Sequence, residues 1–249
     1  MKKGFLILVA LLVAAGCGTN MFEGMEDKNT TEATASEVTM KLDSGDYDWV
    51  LANADKANAT DYAAAAMGAA GLNPTELVNA LNDIAESGTQ NDLGAVTSIS
   101  IDTTALGALQ TAKEKLIAEL AAKPNDPELS FQMVLTSITS SITAIAKVGE
   151  EGSIADFDPS NGINTDEAKA VGNYIADNPN NTDVINLTSL IAEDVGNAVD
   201  ALPDADLGAS DLYNVLSDVT KGEGSLDYDG DNTIESTDIS DYFINVLGQ

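Results

Sequence analysis

Carboxylate side chains recur at alternating positions near the end of the chain. In the twelve residues from 227 to 238, carboxylates stand at the first, third, fifth, ninth and twelfth positions. Together with the threonine at the seventh position, the residues that could supply oxygen ligands are Asp227, Asp229, Asp231, Thr233, Glu235 and Asp238. Calcium takes about 6–8 oxygen ligands, and a short loop supplies them only if alternate residues point inward. The spacing therefore predicts a calcium-binding loop, with the apolar Ile234 at the eighth position.

A weaker copy of this pattern lies upstream, between residues 156 and 167. Its corresponding positions hold Asp156, Asp158, Ser160, Gly162, Asn164 and Glu167. Ile163 again stands at the eighth position, and an asparagine stands at the sixth position of both segments. Each segment also follows a lysine, a Gly-Ser pair and an apolar residue. The two segments start 71 residues apart, at residues 156 and 227, which predicts a duplicated helix–loop–helix unit with about 60 helical residues inserted between the loops.

The two segments resemble the calcium loop of EF-hand proteins, and an aspartate at the twelfth position followed by a helix is more similar to half of a dockerin. The resemblance implies calcium as the cofactor and two loops side by side, with Ile163 opposite Ile234 in a short two-stranded bridge. Two departures weaken it. Asn232 replaces the family's glycine, and the short Asp238 favours binding through one oxygen. An acidic turn that holds no metal is the alternative interpretation.

The elements that would position these loops are predicted to be helices. Apolar residues recur at helical spacing in five stretches, 77–84, 106–120, 135–145, 187–198 and 212–219. The third stretch is expected to begin near Pro127 and to be the central, enclosed helix, because its other faces carry Ser and Thr instead of charges. A weak alternation over residues 95–102 predicts a short extended piece.

A further pattern covers residues 42–71. Gly45 to Val50 resembles the turn between the helices of a tetratricopeptide repeat, and the run from Tyr62 to Gly71 is similar to the small-residue helix that opens the next repeat. The resemblance spans about one and a half repeats, whereas stable arrays usually need about three. A plain helical hairpin, in which Ala and Gly allow close backbone approach, is the equal alternative.

The start of the chain predicts its location. Lys2 and Lys3 precede an uninterrupted apolar run over residues 5–15, which is short for a membrane span and typical of a secretory signal. The small residues before Cys17 resemble the lipobox of bacterial lipoproteins, which implies removal of residues 1–16, lipidation of Cys17 and attachment to the bacterial cell envelope. Gly18 at the next position favours the outer membrane. An ordinary secretory signal with an incidental cysteine is the alternative.

Composition removes several classes of function. The 249 residues include 41 Asp and Glu, 11 Lys, no Arg and no His, for a formal net charge of -30. This charge repels nucleic acid, and the lack of His removes imidazole bases and ligands. An enzyme would have to use a carboxylate pair, as in glycoside hydrolysis. Aromatic residues make up only 5% of the chain, with Trp49 as the single tryptophan, which disfavours a sugar-binding platform.

These observations together predict a mainly α fold, a helical array with two EF-hand-like (dockerin-like) calcium loops. The expected divisions are a lipoprotein signal peptide (1–16), a flexible tether (17–36), a tetratricopeptide-like helical domain (37–148) and a calcium-binding helix–loop–helix domain with a helical insertion (149–249). A solute-binding lipoprotein would require alternating strands and helices, which the sequence lacks. The expected function is non-catalytic interaction at the membrane, with another envelope protein as partner. A carbohydrate-active enzyme is the alternative.

Overall fold

The fold is known from a computed structural model that describes residues 31–72, 101–154, 157–158, 164–205, 227–228, 230 and 233–247. These residues are mainly helical, which confirms the mainly α part of the predicted fold, whereas the EF-hand-like loops stay a prediction. The helices are α1 (Thr31–Asp43), α2 (Tyr47–Ala52), α3 (Ala59–Ala69), α4 (Leu106–Ala122), α5 (Pro127–Glu151), α6 (Thr165–Asp177), α7 (Thr182–Ala201) and α8 (Ser236–Tyr242). Short 3-10 turns span Thr103–Ala105 and Leu202–Asp204, and a π-helical turn spans Phe243–Leu247.

Three of the five predicted helices are confirmed as α4, α5 and α7. Local sequence sets their ends. The Asp126 carboxylate accepts hydrogen bonds from the backbone N–H groups of Glu128 and Leu129 at 3.1 and 3.2 Å, and Pro127 opens α5. The helices predicted at 77–84 and 212–219 lie outside the described residues, as does most of the predicted extended piece at 95–102.

Helix α1 begins earlier than the sequence suggested. Residues 31–36 were expected to belong to the flexible tether, whereas the helix starts at Thr31. Its Val38 is fully buried in the core that includes Val50 and Ala63. Packing of this one apolar residue favours helix through the preceding turn, even though Thr and Ser have modest helix propensity.

Helix α5 is the central helix, as predicted. It packs against α3, α4, α6 and α7. Five of its hydroxyl-bearing residues are fully buried, namely Thr136, Ser137, Thr139, Ser140 and Thr143. By length and composition α5 is apolar enough to cross a membrane, but 78% of its most apolar stretch is buried by the rest of the protein. Enclosure by neighbouring helices explains why this helix carries so few charges.

The core divides into two clusters that share α5. The first joins α1, α2, α3, α4 and the end of α7 to α5, from Leu129 to Ala146, through residues such as Val50, Leu109 and Leu135. The second joins α6, α7 and α8 to the C-terminal end of α5 through residues such as Val148 and Ile239. The predicted division between residues 148 and 149 falls inside α5, three residues before the helix ends at Glu151.

Helices α2 and α3 form a closely packed hairpin. Gly45, with a φ of +72°, lies between α1 and α2, and the Tyr47 ring lies directly against Gly68 of α3, where a Cβ would clash with it. Ala63 and Ala66 of α3 are fully buried. Small residues therefore allow close approach here, which both the repeat and the hairpin interpretations require.

Candidate metal centre

The predicted loop residues are described only in part. The described ones are Asp158, Asn164, Glu167, Asp227, Thr233, Glu235 and Asp238. Those outside the described residues are Asp156, Ser160, Gly162, Asp229 and Asp231, together with Cys17. Within the described parts of the chain, there is no group of three or more His, Cys, Asp or Glu side chains close enough together to hold a metal ion. Calcium binding by either loop therefore stays a prediction, and the described residues define how each loop ends.

The first loop ends in a reciprocal capping box. The Asn164 side chain accepts a hydrogen bond from the Glu167 backbone N–H at 3.0 Å, and the Glu167 carboxylate accepts one from the Asn164 backbone N–H at 2.8 Å. These two bonds satisfy two N–H groups at the start of α6. The ninth and twelfth residues of the loop are thereby fixed to each other.

The second loop ends in the same way. The Asp238 carboxylate accepts a hydrogen bond from the Glu235 backbone N–H at 2.9 Å, at the start of α8. Asp238 is 5% exposed, and Asp227 at the other end of the loop is 9% exposed. In both loops the twelfth residue thus turns its carboxylate back toward the ninth. This arrangement caps a helix with or without a metal, so it fits a calcium loop and an acidic turn alike.

The backbone of the second loop turns at its fourth residue. Gly230 has a φ of +77°, a conformation that costs glycine little and other residues more. The residue at the matching position of the first loop is Pro159, and a proline ring fixes φ near about -65°. The same turn cannot be repeated at that position. The two loops therefore differ in backbone chemistry at this position, and the second also matches the calcium spacing with five carboxylates against three.

An aromatic residue ties the first loop to the central helix. The Phe157 ring lies directly against Gly149 in α5, where a Cβ would clash with the ring. The chain leaves the helix through Gly152 and Ser153, which has a φ of +47°. The sequence predicted such a break between the incoming helix and the loop. Tyr228, the matching aromatic of the second loop, is 42% exposed.

The helices that leave the two loops contact each other. Ser240 of α8 donates a hydrogen bond from Oγ to the Gly172 carbonyl oxygen of α6 at 3.0 Å. A Cβ on Gly172 would lie 2.9 Å from the Ser240 carbonyl oxygen, so only glycine permits this approach. Ala168 and Val171 of α6 are buried in the second cluster, as are the residues 71 positions later, Ile239 and Tyr242.

This packing brings the two repeat units together along α6 and α8. Ile234 is half-buried against the second cluster, whereas Ile163 lies outside the described residues. The expected pairing of Ile163 with Ile234 therefore stays a prediction. Contact between α6 and α8 is compatible with it, because each helix starts two residues after the isoleucine of its loop.

The sequence analysis missed a buried ion pair between α4 and α7. Lys113 and Asp194 are 3% and 0% exposed, and the Lys113 ammonium donates a hydrogen bond to the Asp194 carboxylate. Burial raises the pKa of Asp194 to about 6, against the lowering effects of the Lys113 charge and the Ser140 hydroxyl. A signal was available, because Lys113 lies in helical register with Leu109 and Leu116, and Asp194 with Ile191 and Ala198.

A groove opens beside this ion pair. It has a volume of about 340 Å³ between α4 and α7. Its lining combines Lys113 with Gln110, Glu114, Ile117, Asn186, Ser189, Leu190 and Glu193. Lys113 therefore contacts both the buried Asp194 and the groove.

Comparison with known proteins adds no relationship to this geometry. No protein-family model matches the chain, and no curated protein or solved structure matches it.

Proposed function

We propose that the protein is a lipid-anchored, calcium-binding helical interaction module of the bacterial cell envelope, without catalytic activity of its own. The observation that supports it best is the duplication. Two acidic loops share their ligand spacing, and in both the backbone N–H of the ninth residue, Asn164 or Glu235, donates a hydrogen bond to the carboxylate of the twelfth. The helices that follow them pack together at Gly172. An incidental acidic turn would not be expected to recur with these features.

The donor set of the second loop suits calcium. Its side chains offer oxygen atoms only, as hard divalent cations prefer. Asp227 and Asp238, at the two ends of the loop, are both largely buried, and a bound cation would offset part of the cost of burying their charge. Asp229 and Asp231 would complete the acidic ligands, with Thr233 and Glu235 at the seventh and ninth positions.

The proposed calcium site predicts a stability change. With a dissociation constant of about 1 mM, typical of the weakest extracellular calcium modules, 10 mM calcium should stabilise the fold by about 1.4 kcal/mol per site. We expect a rise in Tm of about 3–6 °C relative to chelator for a chain of this size. Thermal melts by circular dichroism in calcium and in chelator measure it, and superimposable curves would contradict calcium binding.

Loop variants assign the effect to its source. Asp229→Ala should remove most of the calcium-dependent shift, and Asp158→Ala a smaller part, because the second loop is the better site. The exposed Asp200, near the end of α7, provides the control. Asp200→Ala changes the net charge equally and should keep the full shift. Loss of the shift in this control would instead indicate a general charge effect.

The anchor is tested separately. Cys17 is the only cysteine, so Cys17→Ser removes the only thiol that could carry the lipid. The variant should accumulate with its signal sequence uncleaved or be recovered as soluble protein, whereas the wild type should partition into the detergent phase. Phase partitioning of bacterial extracts, with mass spectrometry of the N-terminus, measures both properties. Recovery of the variant in the detergent phase with residues 1–16 removed would contradict lipidation.

The proposed partners follow from this location. The membrane is contacted through the lipid on Cys17, on the outer membrane of the bacterial envelope. The interaction partner is another envelope protein. A calcium-dependent pulldown from envelope extract, compared between wild type and Asp229→Ala, would identify it.

A further inference from the structure

The interface between α5 and α7 contains an unusual set of buried polar atoms. Gln132, Thr136 and Ser140 are spaced four residues apart and therefore lie on one face of α5. Asp194 and Asn197 are three residues apart and share a face of α7. Helix α5 packs along α7, and the nearby Ser140 hydroxyl lowers the pKa of Asp194, so these two faces lie against each other. We call the five residues the polar seam.

The two helices run in opposite directions, which orders the residues along the seam. The N-terminal part of α5, with Leu129 and Met133, shares the first cluster with Ala201 at the end of α7. The C-terminal part of α5, with Val148, shares the second cluster with Val184 at the start of α7. Asn197, one turn after Asp194, is therefore placed toward Thr136, one turn before Ser140.

Polar atoms in the seam lack hydrogen-bond partners within the described parts of the chain. These atoms are Gln132 Oε1, Thr136 Oγ1, Ser140 Oγ, Asp194 Oδ2 and Asn197 Nδ2, all shielded from solvent. Two other buried threonines of α5 differ. Thr139 and Thr143 donate hydrogen bonds to carbonyl oxygens four residues earlier, at 2.8 and 2.7 Å. A buried polar atom without a partner is costly, and natural proteins rarely leave several in one place.

We propose that the polar seam is a binding site for ordered internal water, which bridges the side chains of α5 to those of α7. Water matches the chemistry, because the seam offers both acceptors and donors, including the Asn197 amide. Proteins hold about one buried water per 27 residues, typically with about three hydrogen bonds to otherwise unpaired groups. A metal cation is disfavoured, because the Lys113 ammonium already binds the Asp194 carboxylate.

The groove provides the route for exchange of this water. Lys113 lines the groove and also contacts Asp194 in the seam. A shift of this one flexible side chain would connect the seam to solvent. The seam water is therefore expected to be long-lived yet exchangeable, without unfolding of either cluster.

The test compares two isosteric substitutions in α5. Thr136→Val removes a hydroxyl that would bind seam water, and Thr143→Val removes one that bonds within its own helix. Both residues are fully buried. We expect Thr136→Val to lower Tm by about 2–4 °C, the shift expected for loss of about one net hydrogen bond in a chain of this size. Thr143→Val should change Tm by less than about half as much, because a hydroxyl bond to the carbonyl four residues earlier in the same helix adds little stability.

A second measurement detects the water itself. Oxygen-17 magnetic relaxation dispersion counts long-lived internal water molecules, and the count should fall in Thr136→Val but not in Thr143→Val. If Thr136→Val raises Tm and leaves the count unchanged, the seam is dry and the proposal is wrong. A lower Tm with an unchanged count would also overturn it, because the Thr136 hydroxyl would then bond to a protein group.

Discussion

Lys113→Met is expected to lower the free energy of unfolding by about 3–5 kcal/mol, the usual cost of removing one partner of a buried ion pair. The methionine side chain roughly fills the space of the lysine stem, so little of the loss comes from packing. The loss arises because Asp194, which is fully buried, must then either keep its charge without the compensating ammonium or take up a proton, and both cost free energy. Urea unfolding followed by circular dichroism measures the change.

The control replaces both partners. Lys113→Met combined with Asp194→Leu removes both charges from the interior, and apolar replacements of buried pairs are often neutral or stabilising. The double variant should therefore recover most of the loss. A double variant as unstable as Lys113→Met would show that the lysine acts through packing and not through its charge.

The same pair makes stability depend on pH. The pKa of Asp194 is about 6 in the folded protein, against 3.8 for an ordinary aspartate. Because the folded value is raised, the contribution of Asp194 to stability is fully present below about pH 4 and is lost as the pH rises through about 6. The groups that act on this carboxylate are Lys113, Ser140 and Glu193. Asp194→Asn should remove this part of the decline in unfolding free energy between those pH values.

Gly172→Ala is expected to destabilise the protein by about 1–3 kcal/mol, as overpacking of a closely fitted interface usually does. The new methyl group would lie 2.8 Å from Ile244 Cγ1, 2.9 Å from Phe243 Cβ and 2.9 Å from the Ser240 carbonyl oxygen. The Ser240 carbonyl oxygen belongs to the backbone, and the Phe243 Cβ is bonded directly to it. Neither atom can move away from the new methyl group without a shift of the main chain. Denaturant unfolding measures the loss.

Gly196 in α7 is the matched control for this substitution. A Cβ at Gly196 has no heavy atom within 4 Å. Gly196→Ala should therefore stabilise the protein by up to about 1 kcal/mol, since alanine has the higher helix propensity. Equal effects of the two substitutions would mean that α6 and α8 do not pack at Gly172.

Calcium-dependent stabilisation should also weaken in Gly172→Ala. The added methyl group would displace α6 and α8, and the first turns of these helices form the ends of the two loops.

The helices were largely predictable, for a physical reason. Helix α5 was identified as central because Ser and Thr, and not charged residues, cover the faces that a surface helix would expose. A charge in the interior is costly, so its absence from a long apolar helix is informative. Lys113 and Asp194 were missed because the helices at 106–120 and 187–198 were predicted from their apolar residues alone. Their opposite charges, both in core register, would have suggested a pair.

The candidate site was predictable only in its local features. The loop spacing and the helices after the loops follow from local sequence, and the Asn164 to Glu167 spacing is that of a capping box. The Phe157 ring against Gly149 and the contact of Ser240 with Gly172 join residues from different elements. Such contacts depend on how the helices pack, which no local pattern specifies. For the same reason the start of α1 at Thr31 was not anticipated.

Helix α5 has a consequence for how the molecule loses its structure. Both core clusters include buried residues of this helix, so melting either cluster exposes apolar surface of an element that the other cluster also uses. Elements that share buried surface tend to open together as one cooperative unit. The free energy of a ligand bound at the loops would then resist unfolding as far away as the hairpin of α2 and α3, without any change of shape. The central helix would thus couple the stability of the two core clusters to each other.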